Sequence, residues 1–267
     1  MQSTDTRGEL PARLELTDIG VRFGGIVALD DVSLRVPAGA VVGIMGPNGA
    51  GKTTLFNVVC GFLRPRTGTM TLDGTPRRPA PHRLVRHGVA RTLQGLGLFG
   101  GLTALENVAA GAARSHRAPF VNGLLGLPYG TRTNRAARTA AAALLDEFGI
   151  GAYAGALPPA LPYPVAKKVA LARALISDPT LILLDEPAGG LDSTDIEDLR
   201  TLIRQLPTRG SGSRSVMLVE HNVELIMSVC DHIVVLDFGK VIAAGTPDEI
   251  RSDPLVAAAY LGGQEAA

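Results

Sequence analysis

The chain has 267 residues, 46% hydrophobic and 19% charged, a composition that suits one large or two small folded domains and excludes a disordered chain. A formal net charge of +1 gives no global argument for nucleic acid as a partner, and the two cysteines, Cys60 and Cys230, lack metal-ligand spacing and read as buried thiols. Apolar runs such as LILL at 181–184 fall far short of the roughly 18 residues of a membrane span, and MQSTDTRGELPAR at the start holds no apolar leader, so a cytoplasmic location is expected.

After an N-terminal tail (1–12) expected to be flexible, β-branched and apolar residues in alternation predict strands near 14–23, 33–37 and 41–45. Residues 51–63, GKTTLFNVVCGFL, follow as a helix with Leu55, Val58, Val59 and Phe62 on one apolar stripe. A turn-rich strand region at 68–76 and a short strand at 89–93 come next. Thr103 and Glu106 form a capping box before a helix reaching about Ala112, and another helix is predicted from about Asn134 to Phe148, ended by Gly149. Between Glu106 and Asp146 there is no acidic residue, while Arg114, Arg117, Arg132, Arg135 and Arg138 fall there. That stretch reads as a solvated helical face or as a surface for anionic headgroups or a membrane partner's acidic loops.

A proline-rich loop leads to residue 165, beyond which helix and strand alternate. Helices are predicted at 165–177, 193–206 and 222–229, and strands at 181–185, 216–220, 233–237 and 240–245. Thr246-Pro-Asp-Glu249 is a capping box with Pro at the first helical position, and Asp253-Pro254 begins a last short helix. Such alternation implies a largely parallel sheet covered on both faces. Helices without strands between about 95 and 165 suggest an inserted helical subdomain.

The segment Gly46-Pro47-Asn48-Gly49-Ala50-Gly51-Lys52-Thr53 follows a predicted strand and opens a helix, the context that a phosphate-binding loop requires. Its glycines let successive N–H groups and the helix N-terminus, with Thr54 just inside it, converge on phosphate oxygens. Lys52 then reaches the β and γ phosphates of a nucleotide such as ATP, and the Thr53 hydroxyl is a ligand for Mg²⁺. Asp185 ends the apolar strand LILLD, where it is placed to hold the metal, and Glu186 beside it is suited to take a proton from an attacking water.

With those residues in place the chain resembles the ATP-binding subunits of ABC transporters over about residues 12–262. The resemblance implies an α/β fold: a P-loop NTPase (RecA-like, mainly parallel sheet) core at 13–94 and 166–262, with an antiparallel β N-terminal part. It also implies an α-helical subdomain at 95–165 and a tail at 263–267. By the same resemblance Phe23 stacks on adenine, and Gln94 senses the γ-phosphate and metal. Leu191 and Asp192 form the D-loop, and His221 is the switch histidine that contacts the γ-phosphate. The string RTLQGLGLFGGLTALENV and the ending GTPDEIRSDP with AYLG are similar to branched-chain amino acid importers, with urea and amide importers as near relatives. The implied partners are transmembrane permease subunits, a second ATP-binding subunit in a heterodimer or a homodimer, and indirectly a solute-binding protein. The implied location is the inner face of the membrane. The alternative is a non-transport or hydrolysis-impaired ABC protein acting as a regulatory nucleotide-binding module.

The family's signature stands here as Leu161-Pro162-Tyr163-Pro164-Val165. In the family, serine and glycine groups of this segment serve the ATP bound by the other subunit. Pro162 and Tyr163 suit the branched-chain subfamily. Pro164 departs from it, replacing a glycine N–H with a residue that has none, so one weak composite site is expected, with Val165 and Ala166 N–H groups remaining.

Overall fold

The computed structural model describes residues 11–92, 95–112, 130–210 and 213–261. Two sheets share the work. The first is antiparallel, in the order β2-β1-β4-β5, built from β1 (Ala12–Phe23), β2 (Ile26–Pro37), β4 (Thr67–Leu72) and β5 (Thr75–Pro76). The second has six strands in the order β10-β9-β3-β8-β7-β6: β3 (Val41–Met45), β6 (Val89–Arg91), β7 (Leu181–Asp185), β8 (Ser215–Val219), β9 (His232–Asp237) and β10 (Lys240–Gly245). It is parallel apart from β10, which runs antiparallel to β9. β1 begins at Ala12, the last residue of the expected tail.

Every residue of β3, β7 and β8 is buried, as a parallel strand covered on both faces must be. Alternation along these strands sorts their side chains into two cores. Val42, Ile44, Leu181, Leu183, Met217 and Val219 face the antiparallel sheet and α1 (Lys52–Val59). Val41, Met45, Ile182, Leu184, Val216 and Leu218 face the other side. There lie α2 (Ala104–Ala110), α3 (Gly130–Glu147), α4 (Tyr163–Leu175), α5 (Ser193–Gln205) and α6 (Val223–Val229). The short α7 (Pro247–Ser252) and α8 (Pro254–Leu261) close the chain.

Both predicted capping boxes form, with the side chains of Thr103 and Thr246 accepting from Glu106 and Glu249 N–H and each glutamate accepting in return. Between Gly95 and Tyr163 the described residues hold only helices and 3-10 turns, as the absence of strand patterns predicts. Helix limits move where caps decide them. α1 stops at Val59, because Gly61 takes φ 71° and turns the chain, so the predicted stripe does not reach Phe62, which is 60% exposed. Phe56, missed by the stripe, is fully buried instead. α4 starts at Tyr163 rather than 165, since Pro162 is its N-cap and Pro164 sits in a first turn that needs no N–H from it. Of the basic stretch, Arg138 pairs with Glu106 at 3.2 Å, whereas Arg114, Arg117 and the side chain of Arg132 lie outside the described residues. Cys60 and Cys230 are buried free thiols, as read. No helix among the described residues is long and apolar enough to cross a membrane.

Candidate functional site

The parallel sheet order places β3 between β9 and β8, with β7 next to β8, so the carboxyl ends of β3, β7 and β8 open on one edge. Residues 46–53 leave β3 there. Gly46, Gly49 and Gly51 all take positive φ, and a Cβ built on Gly46 would meet Leu236 O at 2.1 Å. One on Gly51 would meet Ala28 O at 2.7 Å, so these two positions need glycine both for conformation and for space. Gly49 has open space instead, on the mouth of the loop.

Lys52, the first residue of α1, is buried, and its Nζ donates to Gly46 O (2.7 Å) and Pro47 O (2.8 Å) of its own loop. Burial pushes its pKa down, while the charge of Glu186 works to raise it. The two carbonyls that accept from this buried ammonium carry no charge, and the loop around it stands at the start of a helix. Those residues fit an anion, and a nucleotide phosphate chain matches both the cation and the glycine cradle.

Asp185 ends β7 buried, its Oδ2 2.6 Å from Nη2 of Arg91. Glu186, next in the chain, takes a left-handed φ of 48°, a conformation that costs a non-glycine residue about 1–3 kcal/mol and persists only where neighbours impose it. Its N–H donates to Val219 O (2.9 Å) and its carbonyl accepts from Lys167 Nζ (3.4 Å). The result aims the carboxylate at His221, with Oε1 2.9 Å from Nε2. A carboxylate so oriented by an imidazole is equipped to take a proton from water.

The family model for ABC transporters matches residues 29–189, more than half the chain. The chain belongs to the ABC transporter ATP-binding family. As such it is an ATPase with a P-loop NTPase fold. A second family model, the branched-chain amino acid ATP-binding cassette transporter, matches residues 240–266. This ABC subunit is 40% identical to the high-affinity branched-chain amino acid transport ATP-binding protein BraF of Pseudomonas aeruginosa, over 93% of the chain and 97% of the relative. It is 35% identical to the corresponding LivG of Escherichia coli K12 over the same shares. The lipopolysaccharide export system ATP-binding protein LptB of Haemophilus influenzae is 35% identical over 88% of the chain and 91% of the relative. Among solved structures, a nucleotide-free ABC transporter cassette superposes with a TM-score of 0.79 at 28% identity, covering 93% of this chain and 98% of that one. A dimeric cassette in a post-hydrolysis state bound to ADP and Pi superposes with a TM-score of 0.71 at 26% identity, covering 88% and 98%.

The remaining sequence-derived positions of this ABC subunit fall in different places. Phe23 ends β1, 51% exposed, at the tip of the hairpin whose second strand backs onto Gly51 through Ala28 and Leu29. Gln94 lies outside the described residues. Asp192 is the N-cap of α5, its side chain accepting from Asp195 N–H at 2.8 Å, and Leu191 packs on the core beside it. The signature segment packs on the loop after β7: Tyr163 Oη donates to Gly189 O (3.3 Å), with its ring against Gly190. One expectation needs correcting. Ala166 N–H is taken by Pro162 O at 2.9 Å as the first bond of α4, so it is not available alongside Val165.

Three residues that sequence reasoning passed over hold the site together. Arg91 links Asp185 to Asn57 Oδ1 (3.0 Å) on α1, and its guanidinium lies over Phe56 and Phe62. Burial works against its charge, but the hydrogen bond it donates to Asp185 outweighs this and raises its pKa. Lys167 donates to Pro187 O at 2.7 Å, and its position four after Tyr163 on one helix face was the available signal. Glu220 is a buried carboxylate that accepts from N–H of Ala188, His221 (2.9 Å) and Asn222 (3.2 Å), joining the loop after β7 to the residues that follow β8. Its signal was an acid directly ending an apolar strand, as in LILLDE. Glu220→Ala orphans all three N–H groups and is expected to destabilise the fold by about 3 kcal/mol, at about 1–3 kcal/mol per unsatisfied donor with incomplete additivity. A lower urea midpoint at unchanged slope is the readout, and an unmoved midpoint removes the joint.

Proposed function

We propose that this ABC subunit hydrolyses Mg-ATP to drive uptake of branched-chain amino acids, bound peripherally to separate membrane permeases on their cytoplasmic side. Near full-length likeness to BraF, together with the match of residues 240–266 to the branched-chain cassette model, carries the solute class and the import direction over the export relative. ATP supplies the phosphoanhydride whose cleavage powers the cycle. The N–H groups of residues 46–54 other than Pro47, with Lys52 Nζ, would hold its phosphates, and Phe23 would lie against the base. Thr53 and Asp185 would hold the Mg²⁺, with Gln94 a further ligand expected from the family resemblance. Glu186 accepts the proton of the attacking water, and His221 keeps that carboxylate in place. Arg91, by holding one oxygen of Asp185, fixes the direction in which the carboxylate points.

Leu161–Val165 serves the site of a second ATP-binding subunit, reached through a dimer in which Leu191 and Asp192 also sit at the seam. Pro164 at the second position of α4 gives that site no N–H where a glycine would, which supports unequal composite sites in a heterodimer. Pro164→Gly is therefore expected to raise turnover of the isolated chain, by up to about 10²-fold if the restored donor acts in the transition state. Equal turnover in a coupled-enzyme ATPase assay at dimerising concentration would show that this N–H is dispensable.

The solute is tested by purifying the complex on this chain from native membranes and reconstituting it in vesicles. Leucine accumulation driven by Mg-ATP, with permeases and a second ATP-binding chain in the complex, is the expected result. Uptake of urea or short amides instead would reassign the solute. A chain that brings down no membrane protein would favour a regulatory nucleotide-binding module.

A further inference from the structure

Residues 64–87 carry Arg64, Arg66, Arg77, Arg78, Arg83 and Arg86 against one carboxylate, Asp73, in a chain whose overall charge is only +1. Asp73 is itself paired with Arg13 on β1. Folding gathers four of these cations. Arg64 and Arg66 precede β4, Arg77 and Arg78 follow β5, and the hairpin between them brings both pairs to the lining of one groove of about 750 Å³. No carboxylate lines it among the described residues, and none of the four guanidiniums has an ion-pair partner there.

The groove is held rigidly. Arg66 N–H donates to Gly20 O at 2.7 Å and Arg77 N–H to Met70 O at 2.9 Å, so both pairs hang from hydrogen-bonded backbone. Pro65, Pro76 and Pro79 stiffen the segments between. A Cβ on Gly61 would meet Pro79 O at 2.3 Å, so that strand of the wall lies directly on the turn that ends α1. The positive field extends past the groove: burial first, then the charges of Arg77 and Arg83, push the His87 imidazole down.

Four like charges on a stiff concave wall repel one another and give nothing back to the fold. They are, however, the donor set that bidentate recognition of phosphate uses, at little ordering cost. We propose that this groove is a second phosphate site, separate from the phosphate loop, for a ligand with at least two negative charges on phosphate oxygens. A phosphomonoester lipid headgroup and a free phosphorylated small molecule share that chemistry.

The test uses the full chain carrying Lys52→Ala, which silences the phosphate loop, titrated calorimetrically with pyrophosphate and sedimented with vesicles. Phosphatidic acid mixed with phosphatidylcholine is compared with phosphatidylcholine alone. Arg77→Gln/Arg78→Gln and Arg64→Gln/Arg66→Gln in the same background change exposed side chains, and an unchanged thermal melt confirms that each folds. Saturable pyrophosphate binding, weakened about tenfold or more by either pair and weakened by salt, is expected. Pyrophosphate binding without vesicle binding assigns a free phosphorylated ligand, and arginine-dependent binding to the anionic vesicles assigns a lipid headgroup. Absence of both, or binding that neither arginine pair alters, overturns the site.

Discussion

Glu186→Gln is expected to lower steady-state ATPase activity by about 10²–10⁴-fold, the usual worth of a positioned general base, while leaving nucleotide binding intact. The geometry makes this a clean exchange. The amide keeps the size of the side chain and an oxygen for the contact with His221 Nε2, now 2.9 Å from Oε1, and the backbone restraints from Val219 and Lys167 do not depend on the carboxylate. What is lost is proton affinity. ATP is therefore expected to be retained unhydrolysed, with the chain held as a dimer in gel filtration once Mg-ATP is present. Unchanged turnover would remove Glu186 as the base, and turnover already negligible in the wild-type chain would mark a subunit that only clamps.

Lys52→Ala is expected to separate binding from folding. The wild-type ammonium donates to the carbonyls of Gly46 and Pro47, and the cost of burying it outweighs the attraction of Glu186, an arrangement that does little for the stability of the empty protein. Its removal is expected to leave the melting temperature without nucleotide unchanged or slightly higher. The stabilisation by ATP, about 2.7 kcal/mol at a hundredfold excess over Kd in a competent protein, is expected to disappear. Loss of charge-assisted hydrogen bonds to phosphate at about 1.5–3 kcal/mol each weakens binding by roughly 10- to 100-fold or more. A ligand-induced shift that survives in Lys52→Ala would move the nucleotide site elsewhere.

Most of the machinery was legible because it is local. Glycines at 46, 49 and 51 beside Lys52 announce a loop that no ordinary turn requires, and both capping boxes lie within four consecutive residues. Errors arose where a helix end was decided by something other than periodicity. Phe62 has the right spacing for the α1 stripe but lies beyond the left-handed Gly61, and it passes under Arg91 instead of entering the core. Ala166 looked like a spare donor until Pro162 proved to be the N-cap.

By itself, the sequence determined the phosphate loop, the helix caps, the alternation that builds a parallel sheet, and Pro164 as the departure in the signature. Each depends on residues a few positions apart, where covalent geometry and hydrogen-bond rings set the outcome. Only the tertiary structure decided that β8 stands between β3 and β7, which carries His221 to Glu186 across 35 residues of chain. It alone set Arg91 on Asp185 and collected Arg64, Arg66, Arg77 and Arg78 into one groove. Strand order and hairpin packing are long-range choices made by burial of whole faces, and no short window of residues contains them.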